Sequence, residues 1–388
     1  MNKIVIIVSH PIQHFVPAYE SWTNFNNCDL YVIFASSLGV KKYEDKNFGT
    51  SIQWNISLDK INYEFLKDSE NNYSINRDEL IKLNKRLNEL NPDALIIYGY
   101  SQKIQRNAYK WALKNGKKMI YISDSELRHE RPVWKNIIKY LFIKQYFKKI
   151  NYFFTVGNAN IDYYRFYGVP HNKLIYSCFP IDINLYNKSY KQKLEIRTDL
   201  RNHFEIEDST IVIGVVGKLV NWKSQIDIIR LLRLAEIKSK QKYVAFIIGT
   251  GDNFNSLSQE AKELKQNRVI MTGFVKPEEL PKYYASIDIY THPSIIEPHS
   301  LAISEAAYMG CSLLISDKCG SWGVLDDLQI GKNGYIYKTN DINEMWFYLQ
   351  KLSNQEVRNS FSKYSHQFAE FAQFNAHYYA FKSILTQL

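Results

Sequence analysis

The chain has 388 residues, 45% of them hydrophobic and 15% aromatic, enough for two domains with substantial cores, while the run Ile4 to Val8 is too short for a signal peptide's apolar region. No stretch approaches the ~20 apolar residues of a membrane-spanning helix, so a cytoplasmic location is expected, and Cys28, Cys178, Cys311 and Cys319 lack the C-x-x-C or histidine spacing of a zinc site. The formal net charge of +10 is local: Ser101 to Ile150 holds 13 Lys and Arg against 3 Asp and Glu, and no nucleic-acid motif accompanies it, which argues against a nucleic-acid partner.

In chain order, apolar β-rich runs alternate with helical stretches, the pattern of parallel sheets flanked by helices. Strands are expected at Lys3 to Val8, Leu30 to Phe34, Ala94 to Tyr98, Lys118 to Ile122 and Tyr152 to Val156. After the first of these comes Ser9-His10-Pro11-Ile12-Gln13-His14, where histidines that titrate near neutrality are candidates to contact a ligand or act as a base. A structural histidine is nearly as good a reading of His14. Asp124, Glu126, Arg128 and His129 crowd the end of the Lys118 to Ile122 strand and suit either a site or a solvated loop, with His10 and Glu126 the first choices. Residues 134–149 mix lysines with aromatics at helical spacing. That helix suits an anionic membrane surface as well as it suits packing on the N-terminal sheet with its lysines in solvent.

Pro180 to Ser209 is polar and lysine-rich, the composition of a connection containing a short helix. Beyond it, strands are expected at Ile211 to Val216, Tyr243 to Ile248, Arg268 to Met271, Ile287 to Tyr290 and Ser312 to Ile315. A helix is expected from Leu301 to Met309, with Ser300 as its N-cap. Glu297 then sits in a strand-to-helix loop and Glu305 one turn inside the helix. Free amides at the helix start attract anions, and carboxylates nearby suit polyol hydroxyls, so a ligand with both phosphate and sugar fits.

Glu297 and Glu305, separated by seven residues, resemble the paired glutamates of the family-four retaining glycosyltransferases of the GT-B fold. The resemblance extends to Val215-Val216-Gly217-Lys218-Leu219-Val220-Asn221-Trp222-Lys223, Ile247-Ile248-Gly249-Thr250-Gly251-Asp252, Thr272-Gly273-Phe274-Val275 and Ile315-Ser316-Asp317-Lys318-Cys319-Gly320, in the family's order across about residues 210 to 335. It implies an α/β protein with two Rossmann-like domains facing across a cleft and a C-terminal helix crossing back. The expected division is 1–185 with helix 366–388 for the acceptor, and 186–365 for a nucleotide-sugar donor.

By the same resemblance, Glu305 meets ribose hydroxyls, Glu297 meets the donor sugar, and the amides of Ser300 and Leu301 dock the diphosphate. Gly249, Gly251 and Val275 shape the base pocket beside Gly217. The sequence departs from the family at Pro298, Ser300 and Ser224, where glycines often stand, and proline removes an amide. Lys218 and Lys223 follow a strand, where each cation at ~4 Å is worth roughly 4 kcal/mol to a diphosphate before desolvation. The leaving group is thus served without a metal, and no cofactor is expected. The resemblance also implies retention, by same-face attack or with Glu297 or Glu126 as nucleophile. The expected partners are a nucleotide sugar and a glycan or lipid-linked acceptor in surface polysaccharide synthesis. A nucleotide-sugar epimerase and a non-catalytic subunit of the same architecture are the alternatives.

Overall fold

The computed structural model describes residues 1–40, 43–45, 50–52, 57–68, 74–128 and 133–388, and of 43–45, 50–52 and 133–136 the backbone alone. Two units divide the chain: Met1–Asp45, Thr50–Ile181 and Ala372–Leu388 form the first, and Asp182–Phe371 make up nearly all of the second.

In unit 1, β1 (Asn2–Val8), β2 (Cys28–Ser36), β5 (Asn62–Lys67), β6 (Ala94–Tyr98), β7 (Lys118–Ile122), β8 (Tyr152–Thr155) and β9 (Leu174–Tyr176) make one parallel sheet in the order β5-β2-β1-β6-β7-β8-β9. A short antiparallel pair, β3 (Tyr43–Asp45) and β4 (Thr50–Ile52), stands apart from it. The central strands are apolar throughout because helices cover both faces. Val5, Ile7, Ile33 and Leu95 enter one core, while Ile4, Ile6, Val32 and Ile96 enter the other, as the two-residue period of a strand requires.

The C-terminal stretch closes the second of those cores with Phe381, Ile384 and Leu385. Trp22 stacks on Phe381 at 4.7 Å, and its indole N–H donates to the Ala376 carbonyl. Gln373 accepts from the Ile181 amide and donates to the Phe179 carbonyl. The C-terminal end is helix Gln355–Phe374, a π turn at Asn375–Tyr379 and helix Ala380–Leu385.

In unit 2, β10 (Ile211–Val216), β11 (Tyr243–Ile248), β12 (Arg268–Gly273), β13 (Ile289–His292), β14 (Ser312–Ser316) and β15 (Gly334–Tyr337) form a second parallel sheet in the order β12-β11-β10-β13-β14-β15. Each sheet reverses its direction of winding at one point, between β1 and β6 in unit 1 and between β10 and β13 in unit 2. Loops at the carboxyl ends of strands diverge there and leave a crevice for ligands.

Three expectations are corrected. Pro180 to Ser209 is not a connection with one short helix: Ile183–Lys191 and Lys193–His203 are two helices of unit 2. They carry a partly buried ion cluster in which Arg197 and Arg201 each donate to a different oxygen of Asp288 at 2.7 Å. The strand expected from Ile287 starts two residues later, because Ile287 caps helix Leu280–Ser286 and Asp288 serves the arginines and the Val212 amide. β5, β9 and β15 are missed, being partly exposed or only three or four residues long.

Candidate functional site

The loops after β10 and β11 are laced backbone to backbone. The Gly217 amide donates to Ile248, the Leu219 amide to Thr250 and the Gly249 amide to Gly273. Gly249 lies at φ +136°, and a Cβ there would overlap the Gly217 carbonyl oxygen, while Gly251 at φ +153° faces the Leu219 carbonyl. These two glycines let the strand ends approach one another. From this seam the chain enters a 3-10 turn, Asn221–Lys223, that ends on Ser224 at φ +49°. The left-handed backbone explains why glycine suits position 224, and a serine there costs roughly 1 kcal/mol.

That turn delivers Lys223 across the winding switch to the loop after β13. Its ammonium forms an ion pair with Glu297 Oε2, and the same oxygen lies 3.1 Å from His292 Nε2 at the end of β13. His292 Nδ1 lies 3.2 Å from the Tyr290 hydroxyl, which in turn accepts from the Val216 amide. Burial holds the imidazole pKa below its ordinary value. The neutral ring therefore donates from Nε2 and accepts at Nδ1. Burial alone would raise the pKa of Glu297, but the His292 hydrogen bond and the Lys223 charge outweigh it and hold the carboxyl below its usual range. Both partners use Oε2, which leaves Oε1 to accept from a ligand hydroxyl. The Gly320 amide fixes the loop by donating to the Glu297 carbonyl at 2.7 Å.

Glu305 lies in helix Leu301–Tyr308, whose N-cap position is Ser300. The expected capping bond is not made: the Ser300 side chain gives no cap, and its amide donates to Ser321 Oγ at 3.1 Å. Of the two amides expected to dock phosphate, Ser300's is thus already engaged. The amides of Leu301 and Ala302, at the open first turn, carry the partial positive charge of the helix. Tyr284 donates to Glu305 Oε2 at 2.8 Å and Tyr186 also bonds it, yet burial pushes its pKa up to about 7. Behind the helix, Ser304 donates to Asp327 at 2.8 Å. Burial drives the Asp327 carboxyl up to about 7 and the nearby His299 down to about 4, so both favour their neutral forms.

Lys218 and Val275 fall in the loops after β10 and β12. The Lys218 carbonyl accepts from Gln225, which anchors that loop. Among the described residues, no group of three or more His, Cys, Asp or Glu side chains is placed to hold a metal ion.

In unit 1, His10 ends the turn after β1 at the winding switch. Its Nδ1 lies 2.8 Å from Ser9 Oγ, and burial lowers its pKa. His14 packs among rings, 4.6 Å from Phe15 and 5.9 Å from Phe179. After β7, Glu126 is buried and accepts from Arg128 Nη1 at 3.0 Å, while Asp124 is exposed. His10 and Glu126 follow strands two places apart in one sheet. His129 lies outside the described residues.

His292, Tyr290, Tyr284 and Tyr186 are site residues that sequence reasoning missed. For His292 a signal existed: Thr291-His292-Pro293 repeats the His-Pro order of Ser9-His10-Pro11 at a strand end. Tyr186 and Tyr284 meet Glu305 from two other helices and have no local signature.

Residues 196–370 match the family described as "Glycosyl transferases group 1". The whole chain superimposes on the Anabaena protein HepE in complex with UDP, covering 100% of both chains at a TM-score of 0.72 and 15% identity. It is 25% identical over 195 residues to an uncharacterised glycosyltransferase of Methanocaldococcus jannaschii, covering 47% of each protein. It is also 29% identical over 147 residues to a GDP-mannose-dependent alpha-mannosyltransferase of Corynebacterium glutamicum, covering 37% of this chain and 32% of that one. The matches thus span about half the length or less of these curated relatives.

Proposed function

We propose that this chain, whose residues 196–370 match the group 1 glycosyl transferases and whose fold is that of GT-B enzymes, moves a sugar from a nucleoside diphosphate sugar, held by unit 2, to an acceptor hydroxyl presented by unit 1. The ion network of Lys223, Glu297 and His292 carries this reading. It places a cation and a poised carboxylate at the winding switch of a doubly wound sheet. The UDP bound by the Anabaena protein and the GDP-mannose named for the Corynebacterium relative support a nucleoside diphosphate as the donor's handle.

As the bond between the anomeric carbon and the diphosphate oxygen lengthens, negative charge grows on the leaving group. Lys218, Lys223 and the open amides of Leu301 and Ala302 stabilise that charge, which is the preorganised electrostatic contribution expected of such sites. Glu297 Oε1 accepts from hydroxyls of the transferred sugar, and Glu305 accepts from the ribose. In the retaining course, the acceptor oxygen bonds to the anomeric carbon on the face the diphosphate leaves, and its proton passes to the departing phosphate oxygen. Glu297 is held ionised by two partners on one oxygen, which suits it to orienting the sugar better than to forming a covalent bond. His10 and Glu126 position the acceptor, a hydroxyl of a glycan or of a lipid-linked glycan.

The test is nucleoside diphosphate release from a panel of donors, with and without glycan or lipid-linked acceptors. Release that needs an acceptor and falls at least tenfold in Lys223→Ala supports transfer. Interconversion of donor epimers without release would move the chain to the epimerase alternative.

A further inference from the structure

Among its described side chains, helix Val133–Lys148 is apolar on two sides, one buried and one exposed. Toward the sheet it buries Ile143, Tyr146 and Phe147, which join the core of unit 1. Away from it, Ile137 is 57% exposed, Ile138 61%, Leu141 60% and Phe142 50%. On a helix of 3.6 residues per turn these four form one outward patch across the first two described turns. In the last turn, and just past its end, the same face turns cationic, with Lys144, Lys148 and Lys149 all exposed. No Asp or Glu occurs between 131 and 150. Four large apolar side chains in water are unfavourable for an unpartnered surface, and a patch of this kind marks an interaction site.

We propose that this face docks on an anionic lipid surface, with Ile137, Ile138, Leu141 and Phe142 entering the headgroup and acyl boundary and the three lysines pairing with lipid phosphates. Charge complementarity selects this occupant. A stripe of cations without an acid beside it, contiguous with bulky apolar side chains, matches an interfacial helix. A second copy of this chain would set lysine against lysine. Lys144 also lies 5.3 Å from the Tyr140 ring centroid, which keeps its stem along the helix and its charge at the edge of the patch. The proposal rests on unit 1 alone, so it stands or falls separately from the donor reading in unit 2.

The experiment is co-sedimentation of the full chain with phosphatidylcholine vesicles and with vesicles containing phosphatidylglycerol. The chain is expected on the anionic vesicles only, with binding that fades as salt rises. Lys148→Ala with Lys149→Ala is expected to weaken it roughly thirtyfold, at the usual contribution of a juxtamembrane lysine. Leu141→Ser with Phe142→Ser is expected to weaken it at least tenfold while nucleotide binding stays as in the parent, although Phe142 also gives up its ring contacts with Tyr100 and Tyr146. Ile138→Gln serves as a second, milder variant with the same expected direction. Equal binding to neutral and anionic vesicles, no binding to either, or self-association in sedimentation that the Leu141 and Phe142 substitutions abolish would each overturn the proposal.

Discussion

Two strand ends in this chain carry histidine followed by proline, His10-Pro11 after β1 and His292-Pro293 after β13, and each stands at the winding switch of its own sheet. Around His292 the neighbours come from distant segments: Lys223 from the loop after β10, Glu297 from the next turn, and Tyr290 from the strand itself. Around His10, the short hydrogen bond is to the adjacent Ser9. Unit 2 thus has a cation, a carboxylate and an imidazole assembled from distant segments. The proposed division of labour follows this assembly, with donor binding in unit 2 and acceptor orientation in unit 1.

The largest contrast is expected at two glycines that follow strands. Gly249→Ala drives a methyl into the Gly217 carbonyl and should lose about 3 kcal/mol or more of stability in denaturant unfolding. Gly99→Ala, after β6, is strained only by φ +73°, with open space around the added carbon, and should lose about 1 kcal/mol. Equal losses would break the claim that the close approach of the Gly217 carbonyl, and not backbone conformation alone, demands glycine at position 249.

Next come the two kinds of site residue. Lys223→Ala should lower donor kcat/KM at least tenfold and weaken nucleoside diphosphate binding, as loss of a charge-assisted contact does. His10→Ala should lower kcat while the nucleotide Kd stays constant. If His10→Ala weakens the nucleotide as much as Lys223→Ala does, the division of labour is wrong. His292→Ala strips a buried partner from Glu297 and should lower stability by about 1–3 kcal/mol, read by thermal unfolding.

The smallest effect depends on pH. Burial raises the Glu305 pKa from 4.5 to about 7. Between those values the folded chain keeps a proton that the unfolded chain releases, so this group's contribution to stability falls as pH rises through the window. Glu305→Gln removes that loss. The variant should therefore gain on the parent between about pH 5 and 8, by roughly 1–3 kcal/mol at most. Binding of ribose hydroxyls to the carboxylate adds a second sign: parental nucleotide affinity should rise from pH 6 to 8, and that rise should be absent in Glu305→Gln. A stability difference flat in pH would count against burial of Glu305.

Much of this was legible in the chain itself where the signal is local. The central strands of both sheets are runs of Val, Ile and Leu that only a buried parallel sheet can use, and β6, β7, β10 and β11 fall on the residues their composition predicts. The order Glu297, helix start, Glu305 is also local. Partners across the fold were not legible. Asp288 is expected inside a strand, but Arg197 and Arg201 reach it from a segment that reads as a connection, and this displaces the expected start of β13 and hides His292 at its end. Ser300 has the residue type and position of an N-cap, but its amide is taken by Ser321, twenty-one residues away. Tyr186 and Tyr284 approach Glu305 from two helices, which no spacing along the chain encodes.

The central claim is that Lys223, Glu297, Glu305 and the open first turn at Leu301 grip the nucleoside diphosphate of the donor. A crystal structure of the full chain soaked with a nucleotide sugar that the donor panel identifies tests it most directly. The account predicts the diphosphate beside Lys223 and the Leu301 amide, ribose hydroxyls on Glu305, and the sugar against Glu297. Density for the ligand away from residues 217 to 305 would contradict it.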